Sequence, residues 1–118
     1  MVDRYITAYT KDGIWILGQI DAYPFQAKVC DEASGFGIDC GRTIKLHVYS
    51  KHDGREIIAY ERGWDKYPKG FHKGLAQSLV RFCESLPEQD IWKNTFREER
   101  RFLVTEDDIL EYEDDNEP

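Results

Sequence analysis

Twice between residues 25 and 49 the chain alternates apolar and polar residues one for one. Phe25, Ala27 and Val29 are spaced by Gln26, Lys28 and Cys30. Ile44, Leu46 and Val48 are spaced by Lys45, His47 and Tyr49. A period of two puts each apolar set on one face of an extended strand, so both runs read as strands with one buried face. The flanking sequence supplies more strands. Residues 4–10 are β-branched and aromatic and lead into Asp12-Gly13, a tight-turn signal. Residues 14–20 carry apolar side chains on both faces, as an interior strand would: Trp15, Leu17 and Gln19 on one, Ile14, Ile16 and Ile20 on the other. Gly18 inside this run marks a bulge or a close approach of backbones. After the hairpin signal Lys51-His52-Asp53-Gly54, residues 55–61 form a fifth strand, with Glu56, Ile58 and Tyr60 on one face and Ile57 and Ala59 on the other. Short turns between successive strands imply an antiparallel meander.

At Pro68 the period changes. Phe71, Leu75, Leu79, Phe82 and Leu86 recur at helical spacing and form one apolar stripe. Pro68 suits a first helical turn. Gly70 and Gly74 weaken the start by about 1 kcal/mol each relative to Ala, which puts the firm part of the helix at residues 75–85, closed by Pro87. An amphipathic stripe needs a partner, and the sheet provides one. Residues 88–101 are charged, with Ile91 and Trp92 followed by Phe96 and, at the end, Phe102, and read as a second helix in an arm. Thr105 followed by Glu106, Asp107 and Asp108 reads as a helix cap with acids in its first turn, and Ile109, Leu110 and Tyr112 as one docked turn. The expected fold is α+β: an antiparallel meander sheet of four to five strands within residues 4–61, packed by one amphipathic helix at about 70–86. A helical C-terminal arm at 88–102 completes one domain of residues 1–102, and an acidic tail covers 103–118.

Charge is unevenly placed. Residues 103–118 hold eight of the 23 acids and none of the 16 bases, leaving fifteen acids against sixteen bases in the rest. A body that is net +1 is far from a basic footprint and argues against direct nucleic-acid binding. No apolar run approaches the roughly 20 residues of a membrane span, and the first residues lack the basic-then-apolar pattern of a signal peptide. These features point to a cytoplasmic protein with reduced thiols.

The connection between the two alternating strands is the first candidate site. It is longer than a hairpin needs and is rich in acids and glycines. Asp31, Glu32, Ser34, Asp39, Arg42 and Lys45 are the candidate ligand-binding residues, with Arg42 and Lys45 as anion anchors. Gly35 and Gly37 do not open a helix, so a phosphate loop is disfavoured and the glycines serve backbone geometry. Ser34 lies in no nucleophile elbow. Paired acids do general acid–base work only where burial separates their pKa values, so a small hydrolase using Asp31, Glu32 or Asp39 with a histidine is the weakest reading. Cys30, Cys40 and Cys83 lack metal-ligand spacing, and a zinc site would have to recruit His47, His52 or His72 from different elements, so no metal and no cofactor are expected. Cys30 and Cys40 sit at the two mouths of the connection, where a redox-linked pair is the alternative to plain thiols.

The second candidate is a partner surface. Trp64 sits between the last strand and the helix, where it either plugs the seam or anchors a partner. Trp92, Phe96 and Phe102 are interleaved with Arg97 and Arg100 on the arm, the pattern of a dimerisation or partner-binding segment.

Three elements taken together, Phe25-x-Ala27-Lys28-Val29, Gly37-Ile38-x-x-Gly41-Arg42 and Arg62-Gly63-Trp64-Asp65, resemble a family of small uncharacterised proteins of phages and prophages of Gram-positive bacteria. The resemblance covers roughly residues 14–86. It carries no assigned activity and no catalytic residue. It implies a small phage-derived accessory protein in the cytoplasm of the bacterial host. The expected function is therefore non-enzymatic, by interaction with a host or phage protein or with a second copy of the chain. A small-ligand or nucleotide site in loop 31–42 is the alternative.

Overall fold

Six strands follow one another as an up-and-down meander: β1 (Asp3–Lys11), β2 (Trp15–Ile20), β3 (Tyr23–Val29), β4 (Thr43–Tyr49), β5 (Glu56–Glu61) and β6 (Trp64–Lys66). Helices α1 (His72–Glu84) and α2 (Gln89–Thr95) come next, and β7 (Arg100–Thr105) is the last described element. This is a computed structural model, and it describes residues 3–11, 15–95 and 100–105, with side chains at 5–10, 15–92 and 101. The strands make one sheet in the order β6-β5-β4-β3-β2-β1-β7. Every neighbouring pair is antiparallel. The class is α+β as the periodicities imply, but the described sheet has seven strands rather than four to five.

The two extra strands have different origins. Residues 64–66, expected to lie beyond the sheet, turn back and pair with β5 through Ala59↔Lys66 and Tyr60↔Trp64. Residues 100–105 (Arg-Arg-Phe-Leu-Val-Thr) are a strand and not the end of a helical arm. They run beside β1 from Asp3↔Thr105 to Ala8↔Arg100. A meander leaves the outer edge of β1 with unpaired backbone groups, and β7 satisfies them. The strand reaches Thr105, past the expected start of the tail at residue 103. Among the described residues, the helical content of the arm is confined to α2.

Alternation sets the core. Ile6 and Ala8, Ile16 and Ile20, Phe25, Ala27 and Val29, Leu46 and Val48, and Ile58 and Tyr60 are buried on one face of the sheet. Leu75, Leu79, Phe82 and Leu86 from α1 and the turn after it are buried with them. Phe71, the expected first member of that stripe, lies before the helix and is exposed. Trp92 of α2 is fully buried, so the second helix closes the core as well. Gly18 marks a close approach and not a bulge, because the β1–β2 register is unbroken there. A Cβ on Gly18 would lie 1.8 Å from the Thr7 carbonyl oxygen. A register shift does occur between Val48 and Tyr49 opposite β5, and it matters for the site. It turns Glu56 to the face opposite Ile58 and Tyr60, where unbroken alternation had placed it with them.

Candidate functional site

Loop 31–42 is a closed structural knot. Its backbone bonds to itself: Ser34 N–H donates to the Gly41 carbonyl at 3.1 Å, Gly37 N–H to Ser34 at 3.1 Å, and Gly41 N–H to Ile38 at 2.9 Å. Ile38 is buried under it. The Tyr60 hydroxyl donates to the Phe36 carbonyl at 2.8 Å and ties the tip to β5. Burial first, and then the charges of Cys40 and Asp39, push the Tyr60 phenol above its ordinary value. Asp39 and Cys40 hold left-handed backbone, with φ of 52° and 59°, a conformation that Asp tolerates better than most residues.

The residues expected to bind a ligand here are largely spent on the fold. Arg42 sends its Nε to the Cys30 carbonyl at 2.8 Å and its terminal nitrogens to the carbonyls of Glu84, Leu86 and Pro87. A guanidinium fork thereby caps carbonyls that the end of α1 leaves unsatisfied. Glu84 answers it: its carboxylate accepts from Arg42 N–H at 2.9 Å, Thr43 N–H at 2.9 Å and the Thr43 hydroxyl at 2.7 Å. Gly41 is needed beside them, since a Cβ there would meet Glu84 Oε1 at 2.8 Å. Asp31 accepts from Gln89 N–H at 2.6 Å at the start of α2. Ser34 accepts from Phe36 N–H at 3.2 Å in a local turn. Glu32 and Asp39 are exposed. Lys45 alone points elsewhere, to the open face of the sheet.

That open face carries the polar cluster. The register lays out one row as Trp15, Lys28, Lys45 and Glu61, and the next as Tyr9, Leu17, Gln26, His47 and Ala59. Alternation places Thr7, Gln19, Pro24, Tyr49 and Glu56 in the row after that. Lys45 pairs with Glu61 at 3.2 Å and lies 5.7 Å from the centre of the Trp15 ring. His47 is held between two carboxylates, Nδ1 with Glu56 Oε2 and Nε2 with Glu61 Oε1 at 3.1 Å. An ionised carboxylate only accepts, so His47 donates from both ring nitrogens when both glutamates are charged. Burial raises the Glu61 carboxyl, but its bonds and charge contacts with Lys45 and His47 outweigh burial and leave it lowered. Burial, then the charges of Glu56 and Glu61, raises the Tyr49 phenol. Beside this cluster is a hollow of about 400 Å³ lined by Tyr9, Leu17, Gln19, Pro24, Gln26 and Tyr49.

A second surface lies at the β6 edge. All three residues of β6 are exposed. The Tyr60 and Trp64 rings meet edge to face at 4.9 Å, and Trp64 and Tyr67 do so at 5.0 Å. Tyr67 is 58% and Phe36 61% exposed. The Arg62 guanidinium lies 5.8 Å from the Phe36 ring centre. A hollow of about 380 Å³ runs alongside, lined by Ile57, Asp65, Lys66, Tyr67, Lys69 and His72.

Of the expected interface residues, Trp64 is on this surface, 38% exposed. Trp92 is not an interface residue but a core one, because its side chain is fully buried among the core residues. Arg100 and Phe102 stand in β7, opposite Ala8 and Ile6 in the register. Phe96 and Arg97, and the tail from residue 106, lie outside the described residues. The three cysteines are free thiols, so Cys30 and Cys40 are not bonded to each other. Among the described residues no group of three His, Cys, Asp or Glu side chains is placed to hold a metal, and no helix is long and apolar enough to cross a membrane. Sequence reading missed Glu84 and the His47–Glu56–Glu61 cluster. The partners are 9 to 42 residues apart in the chain, and only the strand register and the bulge bring them together.

A family model for a domain of unknown function (DUF7678) matches residues 14–84. No curated protein and no solved structure matches the chain. The matched span holds β2 to α1, including the Arg42–Glu84 knot, the open-face cluster and the β6 edge, and leaves out β1, α2 and β7.

Proposed function

The chain belongs to the family described as a domain of unknown function (DUF7678), and on that premise we propose that it is a non-enzymatic accessory protein that holds a partner protein along its β6 edge. The observation that carries this reading is the aromatic ladder Tyr60–Trp64–Tyr67 beside a short, wholly exposed edge strand. Edge strands are usually blunted by charge or cover, because their free backbone groups pair with any extended chain. β6 is short and carries Asp65 and Lys66, but it also presents Trp64, with Tyr67 just after it, and Trp and Tyr are the residues that most often anchor interfaces. An extended segment of the partner adds a strand outside β6, and its side chains enter the neighbouring hollow. The doubly bonded His47 and the consumed Arg42 support a binding role over an enzymatic one. The phage or prophage setting implied by the family-like motifs makes the partner a host or phage protein in the cytoplasm.

The test is affinity capture from lysate of a Gram-positive host by the full chain, beside Trp64→Ala, Tyr67→Ala and an Arg55→Ala control. A species retained by the wild type and the control but lost by both aromatic variants is the expected result. Equal recovery by all four proteins contradicts the proposal.

A further inference from the structure

The open face of the sheet is a surface of a different kind from the β6 edge. Aromatic rings stand on it at Tyr5, Tyr9, Trp15 and Tyr49, and carboxamides at Gln19 and Gln26. Its described cations are Lys28, Lys45 and Arg101, against two acids, Glu56 and Glu61. Those acids are already engaged by His47 and Lys45. Lys28 and Arg101 are the cations on this face that those acids do not engage, a placement that the body's net charge of +1 does not register. Lys28 and Lys45 stand one row to one side of the Tyr9–Tyr49 hollow. Arg101 stands on the other side, its guanidinium 4.7 Å from the centre of the Tyr5 ring.

We infer that this face binds single-stranded nucleic acid, with one base seated in the hollow between Tyr9 and Tyr49. The physical requirements of such a site are few: flat π faces for unstacked bases, cations for the phosphates, and polar groups that meet a base edge. The two phenol rings supply the first and the flanking cations the second. Gln19 supplies the third, since a carboxamide both donates and accepts, and Gln26, whose Nε2 donates to the Tyr49 hydroxyl at 3.4 Å, keeps its carbonyl oxygen as an acceptor. Leu17 gives the hollow an apolar floor. Its volume of about 400 Å³ falls in the range of small-molecule sites, roughly 300–1,000 Å³. Among the described residues, both helices lie on the other side of the sheet and leave this face uncovered. A duplex keeps its bases stacked inside, so it offers nothing to this hollow.

The test is fluorescence anisotropy of labelled oligothymidylate and oligouridylate with the full chain at low ionic strength. Saturable binding that weakens as salt rises is expected. Tyr9→Ala and Tyr49→Ala each weaken it by about fivefold or more, the low end of what one lost base–aromatic stack costs. The matching Tyr→Phe variants keep the ring and keep the affinity. Gln26→Glu preserves shape, places a negative charge in the hollow, and weakens binding in a chain that still folds. Trp64→Ala leaves this binding unchanged, which separates it from the edge surface. The inference is overturned if neither oligomer binds, if a duplex of the same length binds as well, or if the hollow variants leave affinity unaltered.

Discussion

One carboxylate, that of Glu84, joins the end of α1 to the start of β4. In Glu84→Ala, the backbone N–H groups of Arg42 and Thr43 and the Thr43 hydroxyl lose their acceptor. The expected loss is about 2–4 kcal/mol, read as a lower urea midpoint at unchanged slope. Arg42 looked like an anion anchor because a guanidinium in a polar loop needs acceptors. It finds them within the chain, and neither Arg42 nor Glu84 carries a local signal of the other. Gly41 is the only trace the sequence holds, and it becomes readable only once Glu84 is in place beside it. A second residue-scale test concerns the thiols. Burial, above all, pushes the Cys83 thiol up to about 12. Iodoacetamide at neutral pH therefore labels exposed Cys40 and spares Cys83, by mass spectrometry of the native protein. By linkage, the stability owed to protonated Cys83 is complete below the ordinary thiol value and is lost as pH rises from there towards about 12.

Strands with a buried face were legible because alternation is the physical consequence of burial on one side only. The five strands expected between residues 4 and 61 all form, and α1 falls where the helical spacing put it. β6 and β7 were not legible. β6 is three residues long, too short for a period to show. β7 lies next to a charged stretch, and its reason to be a strand is the free edge of β1, about 95 residues earlier in the chain. The bulge at Tyr49 likewise follows from pairing and not from local pattern, and with it the placement of Glu56 beside His47. Gly18 permits a sharper test at this scale. Gly18→Ala forces the β1 and β2 backbones apart, because its Cβ has no room beside the Thr7 carbonyl. The loss is about 3 kcal/mol, the upper part of the range for overpacking, measurable by the same urea titration.

For the molecule as a whole, both described helices lie on one face of the sheet and cover neither the polar face nor the aromatic edge. Net charge gave no sign of this, because a sum over the chain does not register which face a residue occupies. The Lys45–Glu61–His47 cluster makes the polar face responsive to acid. Glu61 is held below its ordinary value, so its contribution is present above the usual carboxylate range and is lost as pH falls through the lowered value. Glu61→Gln therefore flattens the acid limb of a plot of urea midpoint against pH. The partner surface is tested most directly by site-specific photocrosslinking in host lysate, with a photoreactive side chain at position 65 on the β6 edge or at position 39 on the loop. Binding along the β6 edge predicts a discrete adduct from position 65 and none from position 39. An adduct from position 39 with none from position 65 would contradict it and return the partner site to the loop.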